Sequence, residues 1–241
     1  MIIFAILSLE LKINRKILKL QKKIIKVLFL LVENYKDYGF LNFVKIVFFE
    51  IINILKFGYS DLFYDESNTK NSYKYTKKNI ESKKTRYDAT YLPTPYFFLE
   101  IIKNKIVNLN LSKFVFLDFG SGAGRVLNFF SSNFEELIGI DKDPKYRKYI
   151  LKNNQKFVNL NIDNSENLKK IISKKKKFIL YFFNPFDLFR ITKIVNFFTS
   201  KNYKVLIITV NCATLKSKKI RRFYNKKFLK KNIGISIYKN F

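Results

Sequence analysis

The residues best suited to chemistry in this chain are Asp118-Phe119-Gly120-Ser121-Gly122-Ala123-Gly124-Arg125. The chain has only seven glycines, and three of them stand here at alternate positions. Glycine lets the backbone turn sharply and lets a ligand approach it with no side chain between. The apolar run Phe114-Val115-Phe116-Leu117 before the loop reads as a buried parallel strand, and Val126 to Phe130 after it as the first turns of a helix. Strand, glycine turn and helix together form a nucleotide-binding corner. The spacing is Gly-x-Gly-x-Gly, not the Gly-x-Gly-x-x-Gly of a dinucleotide site, and no Gly-Lys-Ser/Thr follows, which excludes a P-loop. A tight turn that binds nothing is the plainer alternative.

The segments downstream must position this corner. Leu137 to Ile140 reads as a second strand closed by Asp141, 21 residues after Gly120. An acid there can accept both hydrogen bonds of a ribose diol. Pro144 opens a helix running to about Asn154. Phe157 to Leu160 reads as a third strand, and Asp163 either meets a ligand or caps a helix over 166–173. Phe178 to Phe183 is a fourth strand, ending in Asn184-Pro185-Phe186. This tripeptide is either a turn or part of a pocket. A helix over 187–198, a strand over 204–210, and an antiparallel pair over 228–232 and 235–238 complete the domain. The alternation predicts an α/β fold: a doubly wound, Rossmann-like, seven-stranded, mostly parallel sheet with an N-terminal helical extension.

These motifs, in this order, resemble the class I S-adenosylmethionine-dependent methyltransferases over roughly residues 88–238. The resemblance implies S-adenosylmethionine as cofactor. It implies that Asp118, Gly120, Ser121, Gly122 and Gly124 form the cofactor loop, opened by an acid because the cofactor carries an ammonium group. It implies that Asp141 holds the ribose and that Asp163 meets the adenine amino group. Asn184, Pro185 and Phe186 stand where the family has an Asn/Asp-Pro-Pro-aromatic element, here one proline shorter, which receives the methyl acceptor. Tyr91-Leu92-Pro93-Thr94 resembles the Tyr-x-Pro-Thr of a bacterial subset and of non-SET protein-lysine methyltransferases, which places Tyr91 and Thr94 against the cofactor. The implied function is methyl transfer to an unidentified acceptor, nitrogen before carbon. A non-catalytic nucleic-acid or membrane-surface binding protein that keeps the fold is the competing reading.

Composition narrows the chemistry. There is no histidine and one cysteine, Cys212, so Ser-His-Asp catalysis, His-based metal sites and internal disulfides are excluded. Methyl transfer tolerates these absences, because the protein's main task is to align two groups. A lone cysteine suits a reducing, cytoplasmic setting. The net charge of +29 attracts acidic partners, nucleic acid included. However, 25 asparagines against 4 alanines point to nucleotide bias as a source of the lysine.

Residues 1–64 read as a helical extension, 65–87 as a polar linker, and 88–241 as the catalytic domain. From Ile13 to Leu31 an apolar stripe recurs at helical spacing, with seven basic residues from Lys12 to Lys26 on another face. This basic amphipathic segment, 12–31, can dock on the domain, lie on an anionic membrane surface as a peripheral attachment, or bind a partner helix. Residues 40–57 read as a second, largely apolar helix interrupted by Lys45 and Glu50, expected to bury itself against the first. Met1 to Leu9 lacks the basic start and cleavage site of a signal peptide.

Overall fold

The computed structural model describes residues 38–57, 93–150, 153–160, 165–172, 177–183, 188–212, 214–228 and 234–241. Within these, seven strands form one sheet: β1 (Val115–Phe119), β2 (Glu136–Asp141), β3 (Gln155–Asn159), β4 (Lys177–Phe183), β5 (Lys204–Val210), β6 (Arg221–Lys227) and β7 (Gly234–Lys239). The order is β3-β2-β1-β4-β5-β7-β6. The first five strands are parallel, and β7 inserts antiparallel between β5 and β6. The fold is therefore the doubly wound, Rossmann-like, mostly parallel α/β sheet. Its topological switch lies between β1 and β4, so their carboxyl ends open the crevice where such sheets bind ligands.

Side-chain alternation builds two cores. Val115, Leu117 and Phe119 of β1 join Phe178, Leu180 and Phe182 of β4 on one face, under Ile191, Ile194, Val195 and Phe198 of the helix Leu188–Ser200. Phe116 joins Ile179, Tyr181, Leu206 and Ile208 on the other face. Over that second face lie α1 (Phe40–Phe57), α2 (Tyr96–Ile106) and α3 (Arg125–Phe130). β1 is buried along its whole length, which explains its continuous apolar run.

Two local expectations change. The helix expected from Pro144 to Asn154 is a 3-10 turn over Pro144–Tyr149, capped by Asp143, whose carboxylate accepts the Lys145 N–H. Ile150 is extended instead, and its side chain lies over Gly124 and Gly139. The edge strand falls on Arg221–Lys227, earlier than 228–232, and its side chains are mostly exposed. In addition, α1 buries Ile46, Glu50 and Asn53 and leaves Leu41, Phe48 and Leu55 exposed; its expected packing against the first helix involves residues outside those described. The segment 12–31 lies outside the described residues.

The buried side of α1 is fixed by charge as much as by packing. Arg125, the first residue of α3, is only 2% exposed. Its Nη1 donates to Glu50 Oε2 at 2.9 Å and to the Thr94 carbonyl at 3.3 Å. Its guanidinium lies 4.5 Å from the Tyr96 ring centre. Glu50 Oε1 accepts the Tyr96 N–H at 2.7 Å, and Thr94 Oγ1 pairs with the Tyr181 hydroxyl at 2.8 Å. Removing one partner strands a buried charge, so Glu50→Ala should lower stability by about 3–5 kcal/mol. Urea unfolding of Glu50→Ala, Arg125→Met and the double variant checks this. The double variant should lose less than the two single losses combined; strictly additive losses would show that the pair is not coupled.

Candidate functional site

The site grows from the end of β1. Asp118 occupies the same sheet face as Phe116 and Tyr181, and its register neighbours are Gly139 on β2 and Tyr181 on β4. The chain must then leave the strand and enter α3 within a few residues. Gly120, Gly122 and Gly124 achieve this with φ of 77°, 49° and 75°, the left-handed region that side chains disfavour. Gly120 and Ser121 N–H groups both donate to the Ile140 carbonyl, at 2.7 and 3.2 Å, which ties the loop to β2.

Asp141 closes the same loop from β2. Its Oδ2 accepts the Gly122 N–H at 3.0 Å and its Oδ1 accepts the Asp143 N–H at 2.9 Å. A carboxylate offers about four acceptor positions, so two remain for other donors. Burial raises the Asp141 carboxyl above its ordinary value, against the lowering effect of those two backbone bonds. The expected ribose acceptor is thus also a structural brace of the glycine loop.

Asp118 differs. It is 2% exposed, and its Oδ2 has no hydrogen-bond partner among the described residues. Burial, and secondarily the charge of Asp141, holds its carboxyl well above the usual carboxylate range. Ser121 Oγ is likewise buried without a partner. Ser121 lies over Gly139: a Cβ on Gly139 would stand 2.7 Å from Ser121 Oγ, 2.7 Å from Leu127 Cδ1 and 2.8 Å from Ile150 Cδ1. Gly139 is therefore glycine because its neighbours already fill the space above it. A buried acid and a buried hydroxyl flank this position, beside a backbone loop able to approach a ligand closely.

The structure brings together Asp118, Gly120, Ser121, Gly122, Gly124 and Asp141. Thr94 belongs to the neighbouring cluster with Tyr181 and Arg125, where its hydroxyl and carbonyl are both engaged. Tyr91, Asp163, Asn184, Pro185 and Phe186 lie outside the described residues. Sequence reasoning missed Gly139, Tyr181 and the roles of Glu50 and Arg125. One signal was present: a lone acid in an apolar helix, Glu50, needs a buried cation. Cys212 lies two residues past β5, half-buried, its thiol 3.3 Å from the Val210 carbonyl and far in sequence from the loop.

Asp118 carries a sign-definite pH prediction. Its folded-state pKa is raised, so the ionised form penalises the unliganded fold at neutral pH. The penalty fades as pH falls through that raised value and is gone by 3.8, where the unfolded chain also protonates. Asp118→Asn should therefore stabilise the unliganded protein at neutral pH by on the order of 1–3 kcal/mol, the extra desolvation cost of a buried charge over a buried neutral amide. The gap between variant and wild type should close on acidification. Urea titrations across that range check it; a variant less stable than wild type at neutral pH would contradict the assignment.

No protein-family model matches the chain, and no curated protein does. Solved structures do resemble it. One is an S-adenosylmethionine-dependent methyltransferase from Anabaena variabilis, 12% identical over 72% of this chain and 96% of that one, with a TM-score of 0.45. Another is an rRNA methylase from Streptococcus thermophilus, at 8% identity, 62% and 97% coverage and a TM-score of 0.42. A third is SMU.1697c from Streptococcus mutans in complex with S-adenosylhomocysteine, at 11% identity, 63% and 100% coverage and a TM-score of 0.40. At such identities and scores the likeness is one of fold outline, and it assigns no residue of this chain.

Proposed function

We propose that this protein is a methyltransferase that uses S-adenosylmethionine. The observation that carries the reading is the buried Asp118 carboxylate, left without a hydrogen-bonding donor at Oδ2 among the described residues, beside a glycine loop at the switch point of the sheet. A buried carboxylate is costly unless it is paired. The aminoacyl part of the cofactor brings an ammonium group, which is the complement this position lacks. The residues present fit the cofactor. Asp118 would take the ammonium, the loop from Gly120 to Gly124 would lie against the cofactor with no side chain between, and the free acceptor positions of Asp141 would take the ribose hydroxyls.

When bound, S-adenosylmethionine supplies an electrophilic methyl group on a sulfonium leaving group. The chain's own contribution is alignment and exclusion of water. The Asn184 side-chain oxygen and a backbone carbonyl near Pro185 would accept hydrogen bonds from an amino acceptor and turn its lone pair toward the methyl. Phe186 would stack on a flat acceptor or favour an alkylammonium product by cation–π attraction. An amine needs only to be neutral, whereas an alcohol would need a base, and the chain has no histidine. These points favour nitrogen as the acceptor atom.

Calorimetry with S-adenosylhomocysteine tests the cofactor reading. Wild type should bind saturably. Gly122→Val should abolish binding, because Gly122 has φ of 49° and a β-branched residue there is strained as well as obstructive. Asp141→Ala should cost about 1.5–3 kcal/mol of binding. Undiminished affinity in a folded Gly122→Val protein, or no binding by wild type, would leave a non-catalytic surface-binding protein as the better reading.

The acceptor reading has its own test. Asn184→Ala should lower turnover about ten- to several-hundredfold, as for one lost orienting contact, with S-adenosylhomocysteine affinity nearly intact. A radiolabelled-cofactor screen of amines, peptides and RNA supplies the acceptor for the assay. Full activity in that variant, or methylation on oxygen, counts against the acceptor assignment and leaves the cofactor site standing.

A further inference from the structure

The exposed side of α1 is a feature the cofactor reading leaves unused. At about 100° per residue, Leu41, Val44, Phe48, Ile51, Ile52 and Leu55 fall within an arc of about 100°. All six are exposed, Leu41 and Leu55 by 74% and 76%. Ile46, Glu50 and Asn53 lie on the opposite side, facing the domain. A contiguous exposed apolar stripe of this kind marks an interaction surface.

Its surroundings are basic. Lys45 and Lys56 border the stripe on α1, both exposed. Lys45 and Lys105 of α2 are near enough to Lys226 of β6 for their charges to depress its pKa, after the larger effect of Lys226's own burial. Lysines from three elements thus converge beside one apolar helix face. From the geometry we propose that this face docks on an anionic lipid surface, with α1 lying in the plane of the interface, its apolar stripe in the acyl boundary and the lysines among the headgroups. No helix among the described residues is long and apolar enough to cross a membrane, which suits a helix that lies on one. The proposal does not rest on the cofactor reading.

Charge decides against the other occupants. Residues 12–31 carry an apolar stripe of their own, but also the seven basic residues from Lys12 to Lys26. Seating that segment beside Lys45 and Lys56 would add cations to a basic rim. A second copy packed face to face would oppose the same lysines to each other. In a chain of net charge +29, only an acidic partner relieves this repulsion. Docking on lipid would leave the buried side of α1 unchanged, with Glu50 still paired to Arg125.

The test is flotation of the full chain with vesicles of phosphatidylcholine, with or without roughly a third phosphatidylglycerol. Wild type should float with the anionic vesicles at about 0.05 M salt and largely release at about 0.5 M. It should float poorly with neutral vesicles. The triple variant Leu41→Ser, Phe48→Ser, Leu55→Ser changes only exposed positions. It should retain the wild-type melting temperature and lose at least about tenfold in partitioning. A second variant, Lys45→Gln, Lys56→Gln, Lys105→Gln, should lose about tenfold or more and keep the apolar face. The proposal is overturned if wild type does not float at low salt, or if both variants float as wild type does, which would assign lipid binding to another part of the chain. It is also overturned if light scattering shows a dimer that the serine variant dissolves without any flotation. A serine variant that melts early while wild type fails to float would mean that the chain covers this face itself.

Discussion

The buried guanidinium of Arg125 is the constraint on which the rest of the arrangement depends. A group that cannot lose its proton and is removed from water must be surrounded by acceptors. Four segments supply its surroundings: Glu50 from α1, the carbonyl of Thr94 before α2, the face of Tyr96 at the start of α2, and α3 itself. Phe57 stacks on the same Tyr96 ring at 5.9 Å, extending the contact to the end of α1. The helix that begins immediately after the glycine loop is thereby anchored to segments 31 and 75 residues earlier in the chain. The loop's orientation is set by that anchor at one end and by Asp141 and Ile140 at the other.

Against this background the solitude of Asp118 is informative. The chain has 47 lysines and arginines and 18 acids. Any acid on its surface finds cations readily, as Asp143 does with Lys145 at 2.7 Å and Glu136 with Lys156 at 2.9 Å. Asp118 is enclosed by the parallel strands on either side, and among the described residues no cation completes its hydrogen bonding at Oδ2. A cationic ligand would restore what burial takes away. The energetic cost of keeping such an acid unpaired is then a cost of readiness, borne in the unliganded state and offset on binding.

The sequence was most legible where burial is complete. β1, β2, β4 and β5 are enclosed on both faces, so their apolar runs mark them, and β5 spans the expected residues, 204–210. The glycine loop was legible because backbone geometry restricts the residue type. β6 was misplaced because an edge strand need not be apolar: Arg221 to Lys227 carries four cations, which also guard the open edge. The shortened helix after Pro144 was hidden for a different reason. Ile150 leaves the helical path to fill the space above two glycines, and that demand arises only once β2 and the loop are adjacent. Long-range partners such as Glu50 and Arg125 carry local hints of need but no hint of identity.

α1 shows how one helix can be read two ways at once. Its periodic apolar pattern fits burial, and on that pattern alone the whole helix belongs inside. The single acid resolves which side is inside. Glu50 can be buried only where a cation waits, and Arg125 fixes that place, so the side bearing Ile46, Glu50 and Asn53 must face the domain. The more apolar side is then left outward, with Phe48 59% exposed. A polar contact has outcompeted a larger apolar surface for the protein interior. Such an inversion is costly in water, and an outward apolar face of this kind marks an interaction surface. The lysines beside it would complement a negatively charged one, as in the proposed docking on anionic lipid.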